Sequence, residues 1–224
     1  MKIVVDNVTK TFGNTNVIED VSMQLESGRV YGFQGINGCG KTMLMRLVSG
    51  LIPPTKGSIS VDGKALQGEN SFPESMGLLI ENPSFLNSYS GYQNLEMLAG
   101  ISGKIGKEDV LSALERVGLK ENADKKYGKY SLGMRQRLGI ACAVMEKPEL
   151  ILLDEPFISL DESGVETVAG IIKQEKARGA LIILACHDYG LLSEASDEIF
   201  RIVGGKLAHH LVKGDDGVFS EVAL

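Results

Sequence analysis

One eight-residue segment constrains this chain more than any other. Residues 35–42 read GINGCGKT and fit the pattern G-x-x-x-x-G-K-[ST]. The run 29–33 before the segment predicts a strand, and the apolar spacing of 42–51 after it predicts a helix that Pro53 and Pro54 end. A strand, a glycine-rich turn and a helix in this order form a loop whose backbone N–H groups cradle phosphate.

The residues of this loop have separate expected roles. Lys41 is expected to reach the β- and γ-phosphates of a nucleotide, and the Thr42 hydroxyl to bind Mg²⁺. Cys39 has two interpretations: a small residue beneath the phosphates, or a thiol made reactive by the helix N-terminus and a lysine. A glycine-rich turn that binds nothing is the alternative for the whole segment, and the strand and helix around it argue against that. The expected ATP-binding residues here are Gly35, Ile36, Asn37, Gly38, Cys39, Gly40, Lys41, Thr42 and Met43.

A second chemical signal is a pair of acids at the end of an apolar run. Residues 150–156 read LILLDEP, which predicts a buried strand ending at Asp154 and Glu155. Adjacent side chains on a strand point to opposite faces, so the two acids can do different work. We expect Asp154 to hold Mg²⁺ through water and Glu155 to orient the water that attacks the γ-phosphate. Solvated acids at a strand end are the alternative, which the upstream phosphate loop disfavours.

The remaining pattern predicts one α/β domain with an inserted helical segment. Continuous apolar runs that alternate with helices indicate a mostly parallel sheet covered on both faces. The predicted elements are strands at 3–8, 17–25, 58–62, 150–153 and 181–185, helical segments between 91 and 147, a helix at 162–178, and a terminal hairpin of 197–203 with 207–212.

Composition narrows the functional classes. The net charge of −6 argues against a protein that binds nucleic acid. Three cysteines outside any metal-ligand spacing indicate reduced thiols in a cytosolic protein. Asp6 falls where a signal peptide needs apolar residues, so no targeting segment is expected. The apolar runs are far shorter than the ~20 residues that span a bilayer, so any membrane spans must come from another chain.

Residues 130–137, YSLGMRQR, lie one helix upstream of the acid-bearing strand. They resemble the L-S-G-G-Q signature of ABC-type ATPases. The phosphate loop, the acid pair, the segment 159–161 and His187 follow the order of that family over nearly the whole chain.

The resemblance implies a fold and an assembly. The fold is a RecA-like P-loop NTPase core with a mostly parallel sheet, an antiparallel β subdomain and an inserted helical lobe. One ABC-type ATPase domain would span 1–224, with the core at about 1–82 and 148–224 and the lobe at about 83–147. The cofactors would be ATP and Mg²⁺. The partners would be a membrane-spanning permease and a second ATPase subunit, identical or a paralogue, and the chain would lie at the cytoplasmic face of the membrane.

The resemblance also assigns residues. Glu155, His187 and Lys41 would be catalytic, and Phe12 would stack on adenine, with a core phenylalanine as the alternative. Asp161 would join the two sites of a head-to-tail dimer. The signature residues that would contact ATP bound to the partner subunit are Ser131, Leu132, Gly133 and Met134.

Three residues depart from the family pattern. Leu132 and Met134 replace a signature glycine and glutamine, and Glu81 stands where the family usually has a glutamine beside Mg²⁺. Glu81 can itself bind the metal but adds negative charge near the acid pair. These departures resemble the branch that exports peptide antibiotics such as bacitracin and lantibiotics.

The resemblance places the contact with the permease in an apolar loop. Phe85, Leu86 and Tyr89 are the expected docking residues, and packing within the helical lobe is the alternative. The sequence therefore predicts an ATPase that powers export through a separate membrane partner. Two other classes stay open: a soluble ABC-type ATPase in DNA repair or translation, and a regulator that binds ATP without turnover.

Overall fold

Two β-sheets organise this computed structural model, which describes residues 1–66 and 71–223. The elements of the first half are β1 (Lys2–Phe12), β2 (Thr15–Glu26), β3 (Val30–Gln34), α1 (Lys41–Val48), β4 (Lys56–Val61), β5 (Lys64–Ala65), β6 (Met76–Leu79), α2 (Gly91–Ser102) and α3 (Lys107–Arg116). Those of the second half are α4 (Leu132–Val144), β7 (Leu150–Asp154), α5 (Glu162–Ala177), β8 (Leu181–Cys186), α6 (Tyr189–Ala195), β9 (Glu198–Val203), β10 (Lys206–Lys213) and β11 (Phe219–Val222). Short 3₁₀ turns lie at Lys120–Asn122 and Tyr127–Lys129.

The larger sheet has seven strands in the order β11-β10-β9-β3-β8-β7-β6. The strands from β9 to β6 pair in parallel, while β10 and β11 pair antiparallel at one edge. Every residue of β7 and β8 is buried, as continuous apolar strands covered on both faces require. The prediction of a mostly parallel α/β sheet is confirmed.

The smaller sheet is antiparallel, in the order β2-β1-β4-β5. Its buried side chains share one core with α1 and one face of the large sheet, including Ile3, Leu44 and Leu152. The phosphate-loop helix is therefore packed among strands of both sheets, which fixes its N-terminus.

The other face of the large sheet carries the helical segment. Leu95 of α2, Leu114 of α3 and Leu138 of α4 are fully buried in a second core together with Leu153 of β7. Most of the apolar residues whose spacing predicted these helices fill this core, although Leu98 of α2 is exposed. The residue boundaries proposed for the domain and its lobe stay a prediction. Within the described ranges, none of the helices combines the length and apolar character needed to cross a membrane.

Some expectations about local structure were wrong. α1 ends at Val48 and not at residue 51, because the backbone turns at Gly50, whose φ of +78° is left-handed. The hairpin of β9 and β10 is not terminal, since β11 pairs with β10 beyond it. Sequence reasoning also missed β6 and α6, because four and seven residues are too few to show a period.

Candidate phosphate-binding and hydrolytic site

The glycine-rich loop joins β3 to α1 in the predicted way. Gly40 precedes the first turn of α1 with a φ of +115°, and a Cβ there would lie 2.8 Å from the Ile18 side chain. A Cβ at Gly35 would collide with the sulfur of Cys39. Cys39 is itself buried, so the structure favours the small-residue interpretation over the reactive thiol. These close approaches explain why the turn requires glycine at both positions.

Lys41 lies folded across this loop. Its Nζ donates a hydrogen bond to the Gly35 carbonyl at 2.7 Å and lies 3.9 Å from Glu155 Oε1. The side chain is almost fully buried, so its charge is held between the loop and the acid pair. A buried ammonium beside the N-terminus of α1 makes this region attractive to an anion.

The acid pair ends β7 next to the loop. The Thr42 hydroxyl donates to Asp154 Oδ2 at 2.6 Å, although 112 residues separate the two along the chain. Burial raises the pKa of Asp154, and so do the charges of Glu155 and Glu81, while the hydrogen bond from Thr42 lowers it. Two oxygen donors of the kind that hard cations prefer therefore meet at this edge of the sheet.

Glu155 turns away from the strand with a φ of +48°. Its backbone N–H donates to the Ala185 carbonyl of β8 at 2.8 Å, and its Oε2 lies 2.9 Å from His187 Nδ1. Its Oε1 is buried and has no hydrogen-bond partner within residues 1–66 and 71–223. The two parallel strands thus bring the predicted base and the predicted histidine into contact.

A residue that sequence reasoning missed also holds Glu155. The buried Gln136 of α4 donates through Nε2 to the Glu155 carbonyl at 3.0 Å. The sequence offers one indication of this role: Gln136 is a polar residue within a segment predicted to be helical, and a polar side chain that becomes buried needs a hydrogen-bond partner. The bond links α4, which begins with the signature, to the predicted base.

A cavity of about 360 Å³ opens over these groups. Its lining brings the loop, the metal-binding candidates and the acids together: Val17, Asn37, Gly38, Gly40, Lys41, Thr42, Met43, Arg46, Glu81, Asp154 and Glu155. A neighbouring cavity of about 490 Å³ is lined by Gly35, Ile36 and His187, among others. No residue of the signature lines either cavity in the described part of the chain.

The structure places Glu81, but not Phe12, in the lining of the two cavities. Glu81 lines the first cavity, but its Oε1 accepts a hydrogen bond from Arg46 Nη2 at 2.5 Å, a partner that the sequence did not indicate. Phe12 ends β1 with half of its surface exposed, and Lys10 Nζ lies 5.2 Å from its ring centre. The core alternative for Phe12 is therefore wrong, and the stacking role stays a prediction.

The signature begins α4. Ser131 caps the helix by accepting from Met134 N at 3.2 Å, and the side chain of Leu132 is 69% exposed. A Cβ at Gly133 would lie 2.8 Å from the Ser159 carbonyl, so the signature packs against the loop that leads to Asp161. Asp161 in turn caps α5 through a bond from Gly164 N at 3.0 Å. Both N-termini are thus held by side chains of the predicted motif residues.

The three candidate docking residues differ in their exposure to solvent. Phe85 is partly buried and packs edge-on against Tyr127 at the helical core, with ring centres 5.3 Å apart. Leu86 and Tyr89 are both exposed. Packing within the lobe therefore accounts for Phe85, and the other two provide the apolar surface of this loop.

Comparison with known proteins now decides the family. A family model described as "ABC transporter" matches residues 18–158, more than half of the chain and all of the loop, signature and acid pair. The chain belongs to the ABC transporter family. Its resemblance to the ATP-binding subunits of that family, and the predicted ATPase activity, are confirmed.

Several curated ABC transporter subunits are similar along most of the chain. YybJ of Bacillus subtilis strain 168, an uncharacterized ABC transporter ATP-binding protein, is 48% identical over 81% of this chain and 83% of its own length. BcrA of Enterococcus faecalis, a bacitracin transport ATP-binding protein, is 37% identical over 93% of this chain and 67% of its own length. SrtF of Streptococcus pyogenes, a lantibiotic transport ATP-binding protein, is 33% identical over 91% and 87%.

Solved ABC structures share the fold. The ATP-binding subunit of an ABC transporter superposes with a TM-score of 0.86 at 24% identity, over 95% of this chain and 90% of its own. The dimeric ATP-binding cassette MJ0796, bound to ADP and Pi, gives 0.84 at 20% identity, over 93% and 97%. The predicted P-loop NTPase fold is therefore confirmed.

Proposed function

We propose that this ABC ATPase binds ATP with Mg²⁺ and hydrolyses it in a head-to-tail dimer that drives export by a separate membrane-spanning permease. The observation that carries the proposal is the meeting of three distant segments around two neighbouring cavities. Lys41 and Thr42 come from the loop, Asp154 and Glu155 from β7, and His187 from the end of β8. Each supplies a group that phosphoryl transfer to water requires.

The loop and Lys41 account for nucleotide binding. The phosphates bind against the backbone N–H groups of residues 35–43 and the positive end of α1, where Lys41 adds a full charge. To reach the phosphates, Lys41 exchanges its bond to the Gly35 carbonyl for bonds to phosphate oxygens. Phe12, half exposed on β1, offers a ring face for the adenine.

Thr42 and Asp154 fit a magnesium ion. Their oxygens are 2.6 Å apart, and a hydroxyl and a carboxylate are ligands that Mg²⁺ accepts together with water and phosphate. Glu81 contributes a third oxygen at the same cavity. When bound, Mg²⁺ neutralises charge on the β- and γ-phosphates. The direct hydrogen bond between Thr42 and Asp154 then gives way to the ion and its waters.

Glu155 acts on the attacking water. Its Oε1 makes no hydrogen bond to any residue that the structure describes, while its Oε2 is held by His187 and its carbonyl by Gln136. Oε1 is buried beside Lys41 with an unused acceptor position that can take a proton from a water entering the site, and Oε2 fixes the direction of the carboxylate. This contact orients His187, whose second ring nitrogen, Nε2, can then contact the γ-phosphate.

The signature completes the site from a second subunit. Ser131 and the first amides of α4 lie at an exposed helix N-terminus, which suits a γ-phosphate presented by a partner. The exposed Leu132 would lie in that dimer interface, and Asp161 would sit between the two sites. The signature of one subunit therefore serves ATP bound to the other.

The transported compound is a peptide antibiotic of the bacitracin or lantibiotic kind. Relatives whose names specify such transport match most of this chain at 33–37% identity. Leu86 and Tyr89 give the permease an exposed apolar contact on the helical lobe. The chain then works at the cytoplasmic face of the membrane without spanning it.

A pair of matched variants tests the hydrolytic assignment. Glu155→Gln keeps the size of the side chain and removes the base, so ATP turnover should fall by more than about a hundredfold. ATP should still bind, and the variant should form a stable ATP-bound dimer in size-exclusion chromatography. Glu149→Gln makes the same change on the exposed residue before β7 and should leave turnover unchanged. Full turnover in Glu155→Gln refutes the assigned base.

Export is tested in cells. A strain that lacks this chain should become sensitive to bacitracin or a lantibiotic, and the wild-type gene but not Glu155→Gln should restore resistance. Affinity purification from mild-detergent extracts should recover a polytopic membrane protein in near-equal amount. Unchanged sensitivity across a peptide-antibiotic panel counts against this substrate class. Recovery with ribosomal or DNA-repair proteins favours an ATPase outside transport.

A further inference from the structure

The end of β8 places a thiol beside the two groups assigned to hydrolysis. Cys186 is the last residue of β8 and His187 follows it, while Glu155 follows the neighbouring strand β7. The donor atoms of these three residues all lie within 4.8 Å of one another. Within 1–66 and 71–223 they are the one group of histidine, cysteine and acidic side chains with this spacing.

We infer that Glu155, Cys186 and His187 form a binding site for Zn²⁺, and that zinc there inhibits ATP hydrolysis. A thiolate, an imidazole and a carboxylate are the three ligand types that zinc takes in proteins. Three protein ligands leave a fourth position for water, as in zinc sites that are open to solvent. Mg²⁺ prefers oxygen ligands alone, so it does not compete for a site that includes sulfur.

The distances suit one small ion. Two oxygen or nitrogen ligands of a tetrahedral zinc ion lie about 3.3 Å apart, given bonds of about 2.0–2.1 Å. Glu155 Oε2 and His187 Nδ1 are already 2.9 Å apart, so an ion can replace the hydrogen bond between them with little movement. A sulfur ligand belongs about 3.6 Å from the other two. The Cys186 sulfur therefore needs at most a shift of about 1 Å.

The surroundings hold two ligands firmly and leave the third accessible. Glu155 N is bonded to the Ala185 carbonyl, which fixes the backbones of the two strands against each other. The His187 side chain is 58% exposed and lines an open cavity of about 490 Å³. Cys186 is buried behind it, so an ion enters past the histidine.

The inhibition follows from shared ligands. A zinc ion bound to the Glu155 carboxylate prevents it from accepting a proton from the attacking water. The same ion, bound to His187, prevents the proposed contact of the imidazole with the γ-phosphate. This part of the inference rests on the proposed function, whereas the binding of zinc does not. Metal binding also expels the thiol proton, so each zinc bound releases a proton to the solvent.

Cobalt spectroscopy tests the site without ATP. Co²⁺ replaces Zn²⁺ in such sites, and a cysteine ligand gives an intense sulfur-to-cobalt absorption band in the near ultraviolet. Nucleotide-free wild-type protein should show the band with one equivalent of Co²⁺ and lose it when Zn²⁺ is added. Cys186→Ala should not show it. Cys142→Ala, which removes a thiol from α4 outside the cluster, should keep it.

The affinity for Zn²⁺, measured by competition with a chromophoric chelator, should fall more than about tenfold in Cys186→Ala. The same variant should need correspondingly more Zn²⁺ for half-inhibition, expressed relative to its own turnover without zinc. EDTA added while Mg²⁺ remains in excess should remove the Zn²⁺ and restore wild-type turnover.

Absence of the sulfur band in wild-type protein, or equal zinc affinity in Cys186→Ala, would overturn the site. A band without inhibition of a working ATPase would overturn the inhibitory role alone. Wild-type protein that never hydrolyses ATP would contradict the proposed function and leave the cobalt result to decide the metal site.

Discussion

Arg46 of α1 and Glu81 form an ion pair with Nη2 and Oε1 2.5 Å apart at the wall of the phosphate-loop cavity. Glu81 is the residue that departs from the family's glutamine. The guanidinium of Arg46 offsets the extra negative charge of Glu81, and the ion pair directs the Glu81 carboxylate toward α1. Glu81 nonetheless remains close enough to raise the pKa of Asp154, as the third and smallest of the raising influences after burial and Glu155.

Removal of Arg46 should free Glu81 to bind the metal. In Arg46→Met, the Mg²⁺ concentration for half-maximal ATP binding should fall by up to about fivefold, the equivalent of about 1 kcal/mol for an exposed pair. The effect should vanish when Glu81→Gln is added. The measurement is ATP binding against Mg²⁺ in a Glu155→Gln background, where turnover does not interfere. Equal Mg²⁺ dependence in all four combinations would show that the pair has no influence on the metal.

His187 should matter for turnover and little for stability. Its ring is largely exposed and is oriented by Glu155, so His187→Ala should lower turnover by about a hundredfold with a small change in melting temperature. The control is His209→Ala, because His209 makes an equivalent contact with Glu221 on the far strands β10 and β11. A similar fall in turnover for both variants would show that His187 has no specific role in hydrolysis.

Replacement of Ser131 should lower both the stability of the protein and its ATP turnover. As the cap of α4 its replacement by alanine should cost about 1 kcal/mol of stability, a fall in melting temperature of about 2–4 °C. Ser90→Ala removes an equivalent cap from α2, away from both cavities, and should cost about as much stability. Only Ser131→Ala should also lower turnover, by about a hundredfold, and weaken the ATP-dependent dimer. Equal turnover in the two cap variants would reject a role for Ser131 in the partner's site.

Asp154 should destabilise the nucleotide-free protein at neutral pH. Its folded pKa lies above the ordinary value of 3.8 because burial disfavours the charged form. The folded state therefore binds the proton more tightly than the unfolded state, and this group's contribution to stability falls as pH rises through the interval above 3.8.

Asp154→Asn keeps the shape of the side chain and an acceptor for Thr42 without the charge. It should melt at a higher temperature than wild type at pH 7, and the difference should shrink as the pH approaches 4. It should also lose Mg²⁺-dependent hydrolysis. Thermal unfolding of the apoprotein across this pH range measures the effect, and the exposed Asp215→Asn serves as the control. A lower melting temperature than wild type at neutral pH would contradict the sign.

Much of the site could be predicted from the sequence because its parts are local. The GINGCGKT segment carries its own backbone requirement, because Gly38 and Gly40 have positive φ values of +81° and +115°. The run before Asp154 is apolar because β7 is buried on both faces. Ser131 and Asp161 cap helices in the way their residue types favour. The residue patterns that indicate these features each span only a few positions, so a single sequence contains them.

Only the tertiary structure decided which distant groups meet. The order of the parallel strands brings Glu155 against Cys186 and His187, and no spacing along the chain indicates that contact. The packing of α1 between the sheets sets Arg46 beside Glu81, and the path of α4 places Gln136 on the Glu155 carbonyl. The sequence by itself determined the phosphate loop, the acid pair and the family. The fold determined which side chains contact these motif residues. Contacts between remote segments depend on sheet order and helix packing, which local sequence patterns do not contain.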